Sequence, residues 1–147
     1  MLKTAILDKR GLMAQIVAAR PDEIDAIWAT IWPLLKPAID EDLFTDENML
    51  KTQLKNDQSL MFVALVDGVV KGAAVTVIEE VRGKVVNIVT LGGKDFAEWK
   101  DALNAALTLY AKGMDCSYIV ALGRDAWERL WPDFVAGKRL YTKRIAT

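Results

Sequence analysis

Apolar positions recur along the chain in two rhythms, and the rhythm changes several times. The run Met13-Ala14-Gln15-Ile16-Val17-Ala18-Ala19 reads as a strand, stopped by Arg20-Pro21. From Pro21 the apolar positions Ile24, Ile27, Trp28, Ile31, Trp32 and Leu35 fall at spacings of three and four, one face of a helix. Pro21 suits a first helical position and Asp22, Glu23 and Asp25 suit a helix N-terminus, while Pro33 and Pro37 are expected to kink or end it. An acidic loop over 40–48 leads into a short helix near 45–56, and Thr45 with Asn48 completes no capping box. Leu60 to Val66, Val69 to Glu80 and Lys84 to Leu91 then have the length and composition of strands, separated by Asp67-Gly68 and Arg82-Gly83. Three strands joined by two tight turns predict an antiparallel meander.

Gly92-Gly93-Lys94 ends the meander. Asp95 and Glu98 then have capping-box spacing for a helix to about Lys112, with Phe96, Trp99, Leu103, Ala106, Leu107 and Tyr110 facing a core and Gly113 as its stop. A buried-type strand is expected over 117–122. A second capping-box pattern, Asp125 with Glu128, precedes a short helix carrying Trp127, Leu130 and Trp131 and ended by Pro132; 138–145 reads as a last strand. No repeat, linker or low-complexity tract interrupts the order. The whole chain, 1–147, is therefore expected to be one α+β domain, with 1–12 an N-terminal extension held by the domain or by a partner.

Composition narrows the chemistry. Of 147 residues 52% are hydrophobic and 27% charged, an ordinary globular balance and enough chain for one core. The absence of histidine removes His-dependent triads and histidine bases, and a single cysteine removes Cys/His zinc sites. Cys116 lies in the apolar run to Ala121 and reads as a small core residue. No apolar stretch is long enough to span a membrane, and the first ten residues lack the pattern of a signal peptide, so the expected location is the cytoplasm. Nineteen basic residues nearly balance twenty acidic ones, which argues against nucleic acid as a partner. The balance is uneven: residues 21–50 hold eight acids and one lysine, whereas 121–147 hold six bases and three acids. The acidic part reads as a solvated surface, or as a place to receive an amine substrate or a basic partner.

The order strand, two helices, three-strand meander, helix, strand, helix, strand resembles the GCN5-related N-acetyltransferase (GNAT) family over 13–145. The stretch from Asp67-Gly68-Val69-Val70-Lys71-Gly72 to Ala74 is similar to the family's D-G-x-x-V-G hairpin. Gly92 and Gly93 fall where that family binds pyrophosphate. Leu-Gly-Gly followed by Glu98-Trp99 is also similar to small divergent GNAT-like proteins of tailed phages and prophages. The resemblance implies a mixed, mostly antiparallel central sheet flanked by helices. It further implies acetyl-CoA as cofactor, with Leu91, Gly92, Gly93, Lys94, Asp95 and Phe96 as cofactor-binding residues, and an amine of a small molecule or protein as acceptor.

Two readings remain at this stage. One is an N-acyltransferase moving an acetyl group from acetyl-CoA to an amine in the cytoplasm. The other is a non-catalytic GNAT-fold binding or virion-associated phage protein, placed in the host cytoplasm or in the virion. Thr90-Leu91-Gly92-Gly93-Lys94-Asp95 departs from the family's Q/R-x-x-G-x-G/A loop, and Asp95 as an N-cap would occupy the amides that a phosphate needs. The helix expected to carry a tyrosine acid has none, leaving Tyr118 and Tyr141 on neighbouring strands. Glu79 and Glu80 are the nearest candidate bases, and only one of two adjacent strand residues can face a cleft. No catalytic residue is assigned. The five tryptophans, Trp28, Trp32, Trp99, Trp127 and Trp131, read as core or as an aromatic patch for a protein partner or homo-oligomer.

Overall fold

The computed structural model describes residues 3–7, 11–40, 45–80 and 83–121. Six strands, β1 (Lys3–Leu7), β2 (Met13–Ala19), β3 (Leu60–Val66), β4 (Val69–Glu80), β5 (Lys84–Gly93) and β6 (Tyr118–Ala121), lie side by side in chain order. Every neighbouring pair is antiparallel except β5 and β6, which run parallel. The helices are α1 (Ile24–Asp40), α2 (Glu47–Lys55) and α3 (Lys100–Gly113). The architecture is thus α+β, a mostly antiparallel sheet flanked by helices, as expected. Residues beyond Ala121, including the second capping-box pattern, Trp127, Trp131, Tyr141 and the last expected strand, lie outside the described residues.

The sheet separates two cores. On one face Ile16, Phe62, Ala64, Ala74 and Ile88 pack with Trp99, Leu103, Ala106 and Leu107 of the α3 segment. On the other, Met61, Val63, Ala73 and Val75 pack with Ile24, Trp28, Ile31 and Leu35 of α1 and with Leu50 and Leu54 of α2. The unbroken apolar run of β3 follows from this arrangement, because a strand covered on both faces has no polar side to show. The Asp67-Gly68 turn forms with both residues at positive φ, 48° and 81°, the geometry that hairpin connections of two residues require. Asp67 also ties the turn to β2: its N–H donates to the Met13 carbonyl at 2.9 Å, and its Oδ1 accepts from the Met13 N–H at 3.0 Å.

Several expectations are corrected. Residues 3–7, where no strand was expected, form β1, paired with β2 from Lys3↔Val17 to Leu7↔Met13. Of the two outcomes expected at Pro33 and Pro37, a kink or an end, the first helix does not end there and continues to Asp40. Both prolines are exposed, and the carbonyl freed by Pro33 belongs to exposed Ala29, so water can satisfy it while the apolar stripe runs on to buried Ile39. The second helix is capped by Asp46, whose Oδ1 accepts from the Met49 N–H at 2.8 Å. Asp95 does not cap the third. It adopts the left-handed conformation (φ 53°) ahead of a 3-10 turn over Phe96–Glu98, and α3 begins only at Lys100. Cys116 is half-buried at the entrance to β6 rather than a core residue.

Candidate functional site

The junction from β5 to α3 gathers the residues that the sequence pointed to. Gly92 and Gly93 are still in the β4–β5 ladder, opposite Ala73 and Gly72. A Cβ on Gly92 would lie 2.2 Å from the Leu34 carbonyl oxygen of α1; one on Gly93, which has φ 151°, would lie 2.4 Å from the Lys71 carbonyl oxygen. Both positions need glycine because other backbone occupies the space of a side chain. Gly72 meets the indole of Trp99 in the same way, at 2.4 Å. Trp99 is buried, donates Nε1–H to the Lys94 carbonyl at 2.9 Å, and takes the Phe96 ring edge-on at 4.6 Å. The Lys94 N–H donates to the Lys71 carbonyl at 2.9 Å, and Leu91 packs against the α3 core. Packing from both sides therefore fixes where α3 starts.

The charges at this junction pair across it. Lys71 occupies a bulge in β4, between the pairs Ala64↔Gly72 and Leu65↔Val70. Its Nζ lies 2.9 Å from Asp95 Oδ2 and 4.0 Å from Glu98 Oε1. The carboxylate expected to cap the helix is thus directed back to β4, and the N-cap residue of α3, Trp99, makes no side-chain cap. A helix start whose N-cap residue, Trp99, makes no side-chain cap, with exposed Lys94 nearby in sequence, can receive an anionic oxygen on its first amides.

A second group of polar residues lies further down the same strand. The β4–β5 register passes from Val75↔Thr90 to Thr76↔Ile88, so Val89 is an extra residue in β5. The bulge brings Asn87 and Thr90, three apart in sequence, onto one face opposite Val77 and Val75. Val75 belongs to the α1 side of the sheet. Asn87 donates Nδ2–H to Glu79 Oε1 at 3.3 Å, whereas Asn87 Oδ1 and Thr90 Oγ1 are buried without a hydrogen-bond partner among the described residues. Of the two candidate bases, Glu79 is therefore on this face, and Glu80 is at the hairpin end opposite Lys84. Tyr118 is exposed on β6 opposite Val85. Neither Asn87 nor Thr90 was singled out from sequence. The available signal was a lone asparagine inside a valine-rich strand.

The acidic segment is only partly a free surface. Asp25 accepts from Lys55 and Lys51, at 2.9 and 3.2 Å, and these bonds hold its carboxyl below the ordinary value of 3.8. Trp28 and Trp32 stack at 5.8 Å, and Trp28 Nε1–H donates to Glu47 Oε2 at 2.9 Å, linking α1 to α2. Trp28 and Trp99 are thus core residues, one on each face of the sheet, and Trp32 packs partly buried beside Trp28. Among the described residues no three potential ligands cluster for a metal ion, and no helix is long and apolar enough to cross a membrane.

No protein-family model and no curated protein sequence matches the chain. Solved structures do. An aminoglycoside acetyltransferase from an uncultured soil metagenomic sample superposes with a TM-score of 0.64 at 11% identity, covering 91% of this chain and 96% of its own. The aminoglycoside N-acetyltransferase AAC(6')-Iy in complex with CoA gives 0.62 at 16% identity, covering 96% and 100%. The ribosomal-protein-alanine N-acetyltransferase from Brucella melitensis gives 0.63 at 14%, covering 91% and 99%. The fold is that of the GNAT acetyltransferases.

Proposed function

We propose that this protein is an N-acyltransferase that uses an acyl-CoA, acetyl-CoA in the first instance, and delivers the acyl group to an amine. The observation that carries this reading is the start of α3, where the N-cap residue Trp99 makes no side-chain cap. The expected obstacle, an aspartate sitting on the helix amides, is absent because Lys71 holds Asp95 elsewhere. In this reading the first amides of α3 hold the phosphate-bearing part of the CoA, and Lys94 adds positive charge. A bound acyl-CoA supplies an activated thioester carbonyl. Likeness to structures that hold CoA or acetyl-CoA supports the choice of donor.

Calorimetry with acetyl-CoA tests the reading. We expect saturable binding by the unaltered protein and a loss of about tenfold for Lys94→Glu, the scale of one charged contact. Lys94 is exposed, so the variant should fold normally. No saturable binding would overturn the transferase and favour a GNAT-fold protein that only binds partners.

A further inference from the structure

We propose that Lys71 is a positioning residue that chooses between two starts of α3 and, by that choice, decides whether the helix amides can take the phosphate of an acyl-CoA. The inference deepens the transferase reading and rests on it for the ligand; the choice of helix start stands on the geometry of the junction alone.

Two starts are written into the same residues. In the structure Asp95 has φ 53° and ψ 45°, and its side chain does not cap the 3-10 turn that follows. Trp99, at φ −130° and ψ 0°, separates that turn from α3. The turn closes through Glu98 N–H to the Asp95 carbonyl at 2.9 Å and Trp99 N–H to the Phe96 carbonyl at 3.0 Å. The bond from Leu103 N–H to the Trp99 carbonyl, 2.9 Å, opens the α-helical ladder, so the N–H groups of Lys100, Asp101 and Ala102 stand ahead of it. The sequence also permits an earlier start. No glycine or proline interrupts 95–103, Phe96, Trp99 and Leu103 lie on one helical face, and Asp95 with Glu98 has capping-box spacing. In a helix begun at Phe96, Asp95 would be extended, its carboxylate would accept from the Glu98 N–H, and Glu98 would accept from the Asp95 N–H. Lys100, Asp101 and Ala102 would then donate to the carbonyls of Phe96, Ala97 and Glu98, leaving none of the three for a phosphate.

Lys71 tips the balance to the later start. Its main chain is tied to the junction by the Lys94 N–H, which donates to the Lys71 carbonyl at 2.9 Å. Its side chain is 24% exposed, and Nζ lies 2.9 Å from Asp95 Oδ2 and 4.0 Å from Glu98 Oε1, so one ammonium faces both members of the capping pair. Left-handed backbone is unfavourable for residues other than glycine, and aspartate tolerates it only somewhat better than most. A charge-assisted bond in a partly buried setting offsets that cost. With the ammonium removed, the two carboxylates lose their shared cation. The capping box then offers each of them an N–H donor, together with a relaxed backbone at Asp95. Packing around Trp99 places the junction, and the charge of Lys71 selects the backbone within it.

The test uses the full chain, by NMR without ligand and by calorimetry with acetyl-CoA. Lys71→Met keeps the aliphatic stem and removes the charge. In this variant we expect Asp95 to pass from left-handed to extended φ, and Ala97 and Glu98 to take α-helical carbon shifts. Acetyl-CoA should bind it at least about tenfold more weakly than the unaltered protein, whereas Lys71→Arg should hold both backbone and affinity. A second substitution separates the helix start from simple repulsion. Asp95→Gly favours left-handed φ and has no side chain to cap with, so Lys71→Met combined with it should return to within about twofold of the unaltered affinity. Asp95→Asn removes the same charge yet still caps, so Lys71→Met combined with that change should stay weak. A left-handed Asp95 in Lys71→Met, or equal recovery with glycine and with asparagine, would overturn the proposal. If Lys71→Met does not fold, Lys71→Gln replaces it in the same measurements. If Asp95 moves as expected but the unaltered protein binds no acetyl-CoA, the choice of helix start stands and the transferase falls. Equal binding by the unaltered and Lys71→Met proteins leaves the transferase and removes the role of Lys71.

Discussion

At the scale of single residues, the glycines and the buried polar side chains carry most of the information. Gly92 could be recognised in the sequence as a special position, and a phosphate loop was the natural explanation. The structure gives it a different first duty, since the Leu34 carbonyl occupies the place of its Cβ. Gly92→Ala should therefore destabilise the fold by roughly 1–3 kcal/mol, the usual range for overpacking, as measured by urea denaturation. No sequence pattern could have shown this, because Leu34 and Gly92 meet only through the packing of α1 on the sheet. Asp25 makes a prediction about pH. Its folded value is lowered, so its contribution is present above the ordinary carboxylate value and is lost as pH falls through the lowered one. An NMR titration should place its midpoint below 3.8, and replacing Lys51 and Lys55 by methionine should return it to that value. Tyr110 has the opposite sense. Burial raises its hydroxyl above 10.0, so it stays neutral in the fold, and its contribution to stability declines as pH rises above the ordinary value.

At the scale of elements, periodicity was a better guide than local breakers. The stripe Ile24, Trp28, Ile31, Leu35 marks α1 correctly and continues to Ile39, whereas the prolines suggested a kink or an earlier end. Tertiary burial of that stripe outweighs the local cost because both prolines face water. Pro33→Ala should consequently stabilise the protein, by about 1–3 kcal/mol in chemical denaturation, as the lost helix hydrogen bond is restored. The start of α2 shows the reverse case, in which the right residue type was present one position from where the capping pattern was sought. Asp46→Ala should cost about 1 kcal/mol. At α3 the capping-box spacing of Asp95 and Glu98 was real but misleading. Lys71, twenty-four residues earlier, competes for the same carboxylate, and a local rule has no access to that partner.

At the scale of the whole molecule, the order of strands and helices was enough to expect the fold, because the meander, its turns and the helix after it are local features. The first strand was not legible. Five residues with a lysine at one end have little pattern of their own, and pairing with β2 gives them their form. Deleting residues 1–10 should strip the outer ladder from β2 and a surface from α3, lowering the melting temperature by several degrees in calorimetry. The candidate sites were less legible than the fold. Structures only 11–16% identical share this architecture, so what distinguishes the chain lies in side chains placed by bulges and registers. Val89 illustrates this: one extra residue in β5 turns Asn87 and Thr90 to the same face.

The chain-order sheet has a practical consequence. β1 and β6 are the two ends of the described row, so five strand spacings of about 4.8 Å, roughly 24 Å, separate them. A chip linker or fluorophore attached through β1 would therefore stand well clear of Tyr118 and Asn87. Immobilised in that orientation, the protein would present its β5–β6 edge to the flow, and candidate ligands could be screened on it directly.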